Sequence, residues 1–247
     1  MRLIVGAPVA DRAWSLPAWF DCLRRQTRQP DEFAFVHSGQ PGDATWRALS
    51  DGVRAAGKPS DVRHDPAAPH PRHDYARFQT LARLRNDLLD IARDDLDADL
   101  FLSLDTDVML ENPDTIKRLE QLVVTDGWDV ASPVTWLHPL GEGSWAYNAA
   151  WWSAAGTPGD PRRPWARPEP VTLPWGEVVE IGVPMAAMLM NRRAMDCRYR
   201  WHLGGEDLGF AQDLDQRGLR VAWDTGLKAF HAWNESHLKE RQATTHD

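Results

Sequence analysis

Two carboxylates one residue apart, Asp105 and Asp107, close the uncharged run Leu100-Phe101-Leu102-Ser103-Leu104. Such a run reads as a short buried strand, and ligands of open α/β sheets bind at the carboxyl edge of the strands. In extended geometry positions i and i+2 point the same way, so both side chains can face one ion. Carboxylates that close repel unless a cation or protons intervene, and a hard divalent ion with oxygen ligands is the simplest resolution. Far along the chain, Gly204-Gly205-Glu206-Asp207 puts two more carboxylates at a predicted helix start. There they either complement the helix dipole or supply a base that takes a proton from an attacking hydroxyl. His231, in Ala229-Phe230-His231-Ala232-Trp233, is either a satisfied histidine or a nitrogen ligand.

These residues need elements to hold them. Leu3 to Gly6 predicts a strand, 14–26 a helix that stops before Gln29-Pro30, and Glu32 to His37 a second strand. Strand, helix, strand at this spacing opens a parallel α/β sheet. A helix over 45–56 and a Pro-, His- and Asp-rich loop over 58–73 follow. Phe78, Leu81, Leu84, Leu88 and Ile91 recur at helical steps between Tyr75 and Arg93. Asn112-Pro113-Asp114 starts another helix, with Asn as cap and Pro at the first helical position. Strands are predicted from Asp129 to Val134, Val178 to Val183, Met185 to Met190 and Leu219 to Trp223. A helix from Glu206 to Arg217 ends at Gly218, and the tail after about Asn234 is expected to be polar and loosely held. Residues 137–176 carry many Pro and Gly with little periodicity, and read as a functional insertion within one domain spanning 1–247.

Composition bounds the function. Lys and Arg number 28 against 36 Asp and Glu, a net −8, which argues against a protein that coats a phosphate backbone. With 43% apolar and 26% charged residues the chain can bury a core. No apolar stretch approaches the roughly 18 residues that span a bilayer. Pro8, Asp11 and Arg12 interrupt any signal-like segment, and the lone Cys22 and Cys197 offer no disulfide framework, so a cytoplasmic location is expected. Of the 13 Trp, those at 136, 145, 151, 152, 165 and 175 crowd one Pro-rich region. Indole is awkward core filling, so the cluster is either a satellite core or a surface of flat apolar faces that suits sugar rings.

Taken in order, these elements resemble the GT-A glycosyltransferases, most closely the family 2-like group and more loosely the Anp1-type mannosyltransferases. The DxD motif of that group is matched by Leu102-Ser103-Leu104-Asp105-Thr106-Asp107. Its glycine-containing acceptor-side loop and following strand resemble Ile181-Gly182-Val183-Pro184 to Met190. The acidic motif is similar to Gly205-Glu206-Asp207-Leu208-Gly209-Phe210, and the metal-binding histidine to His231. Ala82-Arg83-Leu84-Arg85-Asn86 resembles the Arg-Asn element before the DxD strand. The likeness runs from Leu3 to Trp233. It departs at His37-Ser38-Gly39-Gln40, where family 2 members carry an acidic element that meets the nucleobase.

The resemblance implies an α/β GT-A fold with a Rossmann-like, mostly parallel central sheet flanked by helices. A nucleotide-sugar half would cover 1–110 and an acceptor half 111–235. It implies a glycosyltransferase taking a hexose-type sugar from a UDP- or GDP-sugar to an acceptor hydroxyl. Mn²⁺ or Mg²⁺ would sit on Asp107 and His231, with Asp105 direct or indirect. Pro8, Arg12, Ser38, Arg85, Asp105 and Thr106 would hold the donor. Asp207 would be the base if the anomeric carbon inverts, with Glu206 orienting the acceptor. Gly182, Trp136, Trp151 and Trp175 would meet the substrate. A glycan, a lipid-linked sugar, a metabolite and a modified nucleic acid base all present a suitable hydroxyl, and the net charge weighs against the last. Two other readings are a haloacid-dehalogenase-type phosphatase with Asp105 as nucleophile, and a carbohydrate-binding protein with no catalysis. The phosphatase motif usually follows the first strand, which it does not here, and sugar-binding modules are mostly β-sandwiches.

Overall fold

The computed structural model describes residues 1–66, 75–137, 149–152, 165–166, 175–202 and 204–244. In chain order the elements begin β1 (Leu3–Val9), α1 (Leu16–Arg24), β2 (Glu32–His37), α2 (Ala44–Ala56), β3 (Ser60–His64) and α3 (Tyr75–Asp90). A π turn over Ile91–Asp95 extends α3. Then come β4 (Leu100–Leu104), β5 (Val108–Leu110), α4 (Thr115–Val124), β6 (Val130–Leu137), β7 (Ala149–Trp152) and β8 (Trp165–Ala166). The chain continues through β9 (Val178–Ile181), β10 (Val183–Pro184), β11 (Ala187–Asn191) and α5 (Arg192–Met195). It closes with α6 (Glu206–Gln216), β12 (Val221–His231) and α7 (Glu235–Thr244).

The main sheet runs β3-β2-β1-β4-β11-β6-β12-β5, with β9 also pairing β12. β3, β2, β1 and β4 are mutually parallel, β11 runs against β4 and β6, and β12 is parallel to β6. Most strands therefore share one direction, and the carboxyl ends of β1, β2, β4 and β12 meet along one edge. A small sheet, β10-β7-β8, lies apart from it.

Strand alternation sorts the core onto two faces. Leu3, Val5, Phe33, Phe35, Leu100, Leu102 and Leu104 pack with Trp19, Leu49 and Ile116 of α1, α2 and α4. Ile4, Ala34, Val36, Phe101 and Met188 pack with Leu84, Leu88 and Phe210 of α3 and α6. Strands buried on both faces read as continuous apolar runs, which is why β1, β2 and β4 are legible in the sequence. Gly6 in β1 has a packing reason, because a Cβ there would lie 2.3 Å from the Ala34 carbonyl oxygen.

Four local expectations need correction. The 58–73 loop contains the edge strand β3, whose sequence Ser60-Asp61-Val62-Arg63-His64 is too polar to announce itself. Val108–Leu110, where the sequence predicts no element, forms a short strand on β12. α4 starts at Thr115 with Asp114 as its cap residue, while the Asn112 side chain accepts from the Asp114 N–H at 2.8 Å. The tail is helical as α7, held by buried Leu238 and by an Arg241–Glu111 ion pair. Most of the 137–176 insertion, with Trp145 and the side chains of Trp151, Trp152 and Trp165, lies outside the described residues.

Candidate active site

A cleft of about 730 Å³ opens along the shared carboxyl edge. Pro8, Arg12, Ser38, Arg85, Asp105, Thr106, Asp107, Glu206, Asp207 and His231 all line it. They arrive from the ends of β1, β2, β4 and β12, from α3 and from the start of α6. Trp136 and Trp175 stand outside that wall: Trp136 lies edge-on to Phe230 and donates from Nε1 to Glu111, while Trp175 is exposed beneath Lys228. Gly182 also lies off the cleft, its N–H on the Ala150 carbonyl at 3.2 Å. The cleft wall carries two other indoles, Trp14 and Trp233, that the clustering of Trp in sequence does not indicate.

Asp107 is the most tightly held carboxylate. Its Oδ2 accepts from Arg12 Nε at 3.0 Å and meets Nη2 at 2.9 Å, and its Oδ1 lies 3.4 Å from His231 Nε2. Its own carbonyl takes the Ala232 N–H at 2.9 Å, which stitches the ends of β4 and β12 together. Burial alone would raise the Asp107 carboxyl, but His231 and then the Arg12 guanidinium outweigh it and hold it well below the usual carboxylate range. Arg12 itself is fixed in a tight turn: its N–H donates to Thr45 Oγ1, its carbonyl accepts from Ser15 and Leu16, and the preceding Asp11 has φ +52°.

Arg85 is a buried guanidinium with a partner on each side. Nη2 meets Asp105 at 2.9 Å, Nε donates to Glu206 Oε1 at 3.2 Å, and the ring of Tyr199 lies 5.6 Å away. The neighbouring Asn86 exchanges two hydrogen bonds with the backbone of Tyr199, at 2.8 and 2.9 Å. Arg85 and Asn86 thus pin the segment before α6 to α3. The Asp105 N–H donates to the carbonyl of Ala186, a residue at φ +64° where side chains are disfavoured.

Asp207 is the unusual group. Its Oδ1 is buried without a hydrogen-bond partner among the described residues. Burial first, then the charge of Glu206 and further off that of Asp105, push its carboxyl up to about 8 against the pull of Arg85. A carboxyl so shifted, in a cleft, has the proton affinity a general base needs near neutrality.

The Asp107–His231 pair fits a divalent ion. Two donors that share one ion at about 2.0–2.2 Å stand about 3 Å apart, close to the separation found, and carboxylate with imidazole is a donor set that Mn²⁺ accepts. Among the described residues no group of three or more His, Cys, Asp or Glu side chains gathers at ligating distance. Asp105 is engaged with Arg85 instead of joining the pair. The remaining ligands would come from water and substrate oxygens.

The edge-opening α/β sheet and the position of this cleft define the class of fold: the chain has the GT-A fold. No protein-family model matches the sequence, and no curated protein matches it. The solved structures it is similar to include GalNAc-T7 with UDP, GalNAc and Mn²⁺, at TM-score 0.65 and 11% identity over 94% of this chain and 43% of that one. S. aureus TarS 1-349 in complex with UDP-GlcNAc superposes at TM-score 0.60 and 14% identity, over 97% and 61%. The mannosyltransferase PcManGT from Pyrobaculum calidifontis with GDP-Man and Mn²⁺ gives TM-score 0.57 and 13% identity, over 99% and 64%. The chain therefore spans less than two thirds of each of these three. No helix among the described residues is long and apolar enough to cross a membrane.

Proposed function

We propose that this protein is a metal-dependent glycosyltransferase that moves a sugar from a nucleoside-diphosphate donor to an acceptor hydroxyl. One observation carries the reading. The Asp107–His231–Arg12 cluster and the proton-avid Asp207, whose Oδ1 has no hydrogen-bond partner among the described residues, open into the same cleft, at the strand ends of a GT-A fold. That the three similar enzymes were crystallised with UDP, UDP-GlcNAc or GDP-Man, two of them with Mn²⁺, supports the donor class and the metal. A divalent ion on Asp107 and His231 would neutralise the diphosphate and stabilise it as it leaves.

The chain's own groups account for the rest. Pro8, Ser38 and Thr106 border the nucleotide side, and Arg12 places a guanidinium beside the diphosphate position. Arg85 balances Asp105 and Glu206, and so holds the start of α6 against the donor side of the cleft. Asp207 Oδ1 accepts the proton of the acceptor hydroxyl as its oxygen attacks the anomeric carbon, and this role entails inversion there. Glu206 lies beneath, anchored to Arg85. The phosphatase alternative requires Asp105 free to attack phosphorus, whereas Arg85 engages both its oxygens.

The test is a donor panel of UDP-Glc, UDP-GlcNAc, UDP-Gal and GDP-Man with Mn²⁺, followed by release of UDP or GDP. One donor should turn over, slowly to water and faster with an acceptor, and Asp207→Asn should lower the faster rate by about 10²–10⁴-fold. Turnover of p-nitrophenyl phosphate without any nucleotide-sugar turnover would reverse the assignment.

A further inference from the structure

The acceptor is the open half of this reading, and the corner that leaves β12 bears on it. Trp233 lines the cleft two residues past His231, yet 47% of it is exposed. An indole half exposed on a cleft wall presents apolar surface beside a polar edge. Asn234 lines the same wall. Its Oδ1 accepts from the His237 N–H at 3.0 Å and from Ser236 Oγ at 2.7 Å, capping α7. A backbone donor on that oxygen settles which end of the amide is which, and leaves Nδ2 as the group that can donate to a ligand.

We propose that Trp233 and Asn234 form the acceptor subsite and that the acceptor is a saccharide, its C–H face on the indole and a ring hydroxyl taking the Asn234 amide N–H. The inference rests on the transferase reading of the cleft. Sheet order supports the acceptor side: β12 lies beyond β4 from β1 and β2, whose ends carry the nucleotide-side residues Pro8 and Ser38. A stacking face paired with one oriented donor matches a pyranose, which presents both an apolar face and equatorial hydroxyls.

The experiment is a printed array of mono- and oligosaccharides, probed with labelled protein in Mn²⁺ and UDP or GDP. Four proteins are compared: the unmodified chain, Trp233→Ala, Trp233→Phe and Asn234→Asp. The last keeps a capping acceptor for α7 and removes the amide donor. The unmodified protein should be retained on a subset of saccharides. Trp233→Ala should bind those about tenfold more weakly, Trp233→Phe less so, and Asn234→Asp should also weaken binding. All four should keep the melting shift given by nucleotide with Mn²⁺, which also shows that each is folded. A nucleotide shift without saccharide binding, or binding unchanged in Trp233→Ala, would overturn the inference and leave the transferase reading standing. Loss of the nucleotide shift in Trp233→Ala alone would also overturn it, by placing the indole against the nucleobase. Absence of a nucleotide shift in the unmodified protein would instead defeat the underlying reading.

Discussion

Replacing Arg85 with Met tests the electrostatics of the site. Methionine keeps most of the stem and removes the guanidinium that meets Asp105 at 2.9 Å, Glu206 at 3.2 Å and Ser103 Oγ at 3.5 Å. Arg85 and Glu206 are each 5% exposed, so solvent cannot screen what is left. Breaking a buried pair by removing one partner costs about 3–5 kcal/mol. The Asp105 contact is more open and adds less. At about 2–4 °C per kcal/mol for a chain of this size, the melting temperature should fall by roughly 6–20 °C. The loss also has a pH signature. Asp207 already sits at about 8, with Arg85 pulling it down. An acid raised in the folded state keeps a proton that the unfolded chain has released, so stability falls as pH rises from about 4 towards the folded value. Without Arg85 that window extends upward, and the deficit at pH 8 should exceed the deficit at pH 5. Urea titrations at both pH values measure this directly, and Arg85→Met/Glu206→Gln should recover part of the loss. A deficit under about 1 kcal/mol at both pH values, or one no larger at pH 8, would refute the reasoning.

Three further changes follow from the same geometry. Asp207→Asn should lower transfer by about 10²–10⁴-fold and yet raise stability, by more at pH 8 than at pH 5, because it removes a carboxyl that the fold keeps protonated; activity assays and paired melts show both. Leu238→Ala should cost about 2 kcal/mol and loosen α7 ahead of the rest, seen as early amide exchange over 235–244. Ala186→Gly relieves a side chain at φ +64°, so it should gain about 0.5–1 kcal/mol in urea titrations despite the greater freedom of glycine in the unfolded chain.

Much of the fold is written in short-range pattern. β1, β2 and β4 are buried on both faces and appear as unbroken apolar runs, and α3 and α4 carry helical stripes. β3 escapes notice because an edge strand with polar side chains reads like a loop, and α7 because Leu238 is its one deeply buried side chain among the described residues. The site divides the same way. Asp105, Asp107, Glu206, Asp207 and His231 stand out locally by type and by position at element ends. Their partners do not, because Arg12 lies 95 residues from Asp107 and Arg85 lies 121 from Glu206. Only the sheet order brings these together, and it turns Arg85 from a cation available to the donor into one held between Asp105 and Glu206. The indoles show the limit of composition. Density of Trp in sequence draws attention to 136–175, whereas among the described residues Trp14 and Trp233, isolated in sequence, are the ones on the cleft wall.

The most direct test of the account is the melting temperature of the protein with UDP, GDP, CDP and dTDP, each with and without Mn²⁺, repeated on Asp107→Ala. Ligand that binds only the folded state at a hundredfold excess over its Kd adds about 2.7 kcal/mol, a shift of several degrees. The account predicts such a shift with one nucleotide, only when Mn²⁺ is present, and its loss in Asp107→Ala. A folded protein that none of the four stabilises, or a shift that survives without either Mn²⁺ or Asp107, would contradict it.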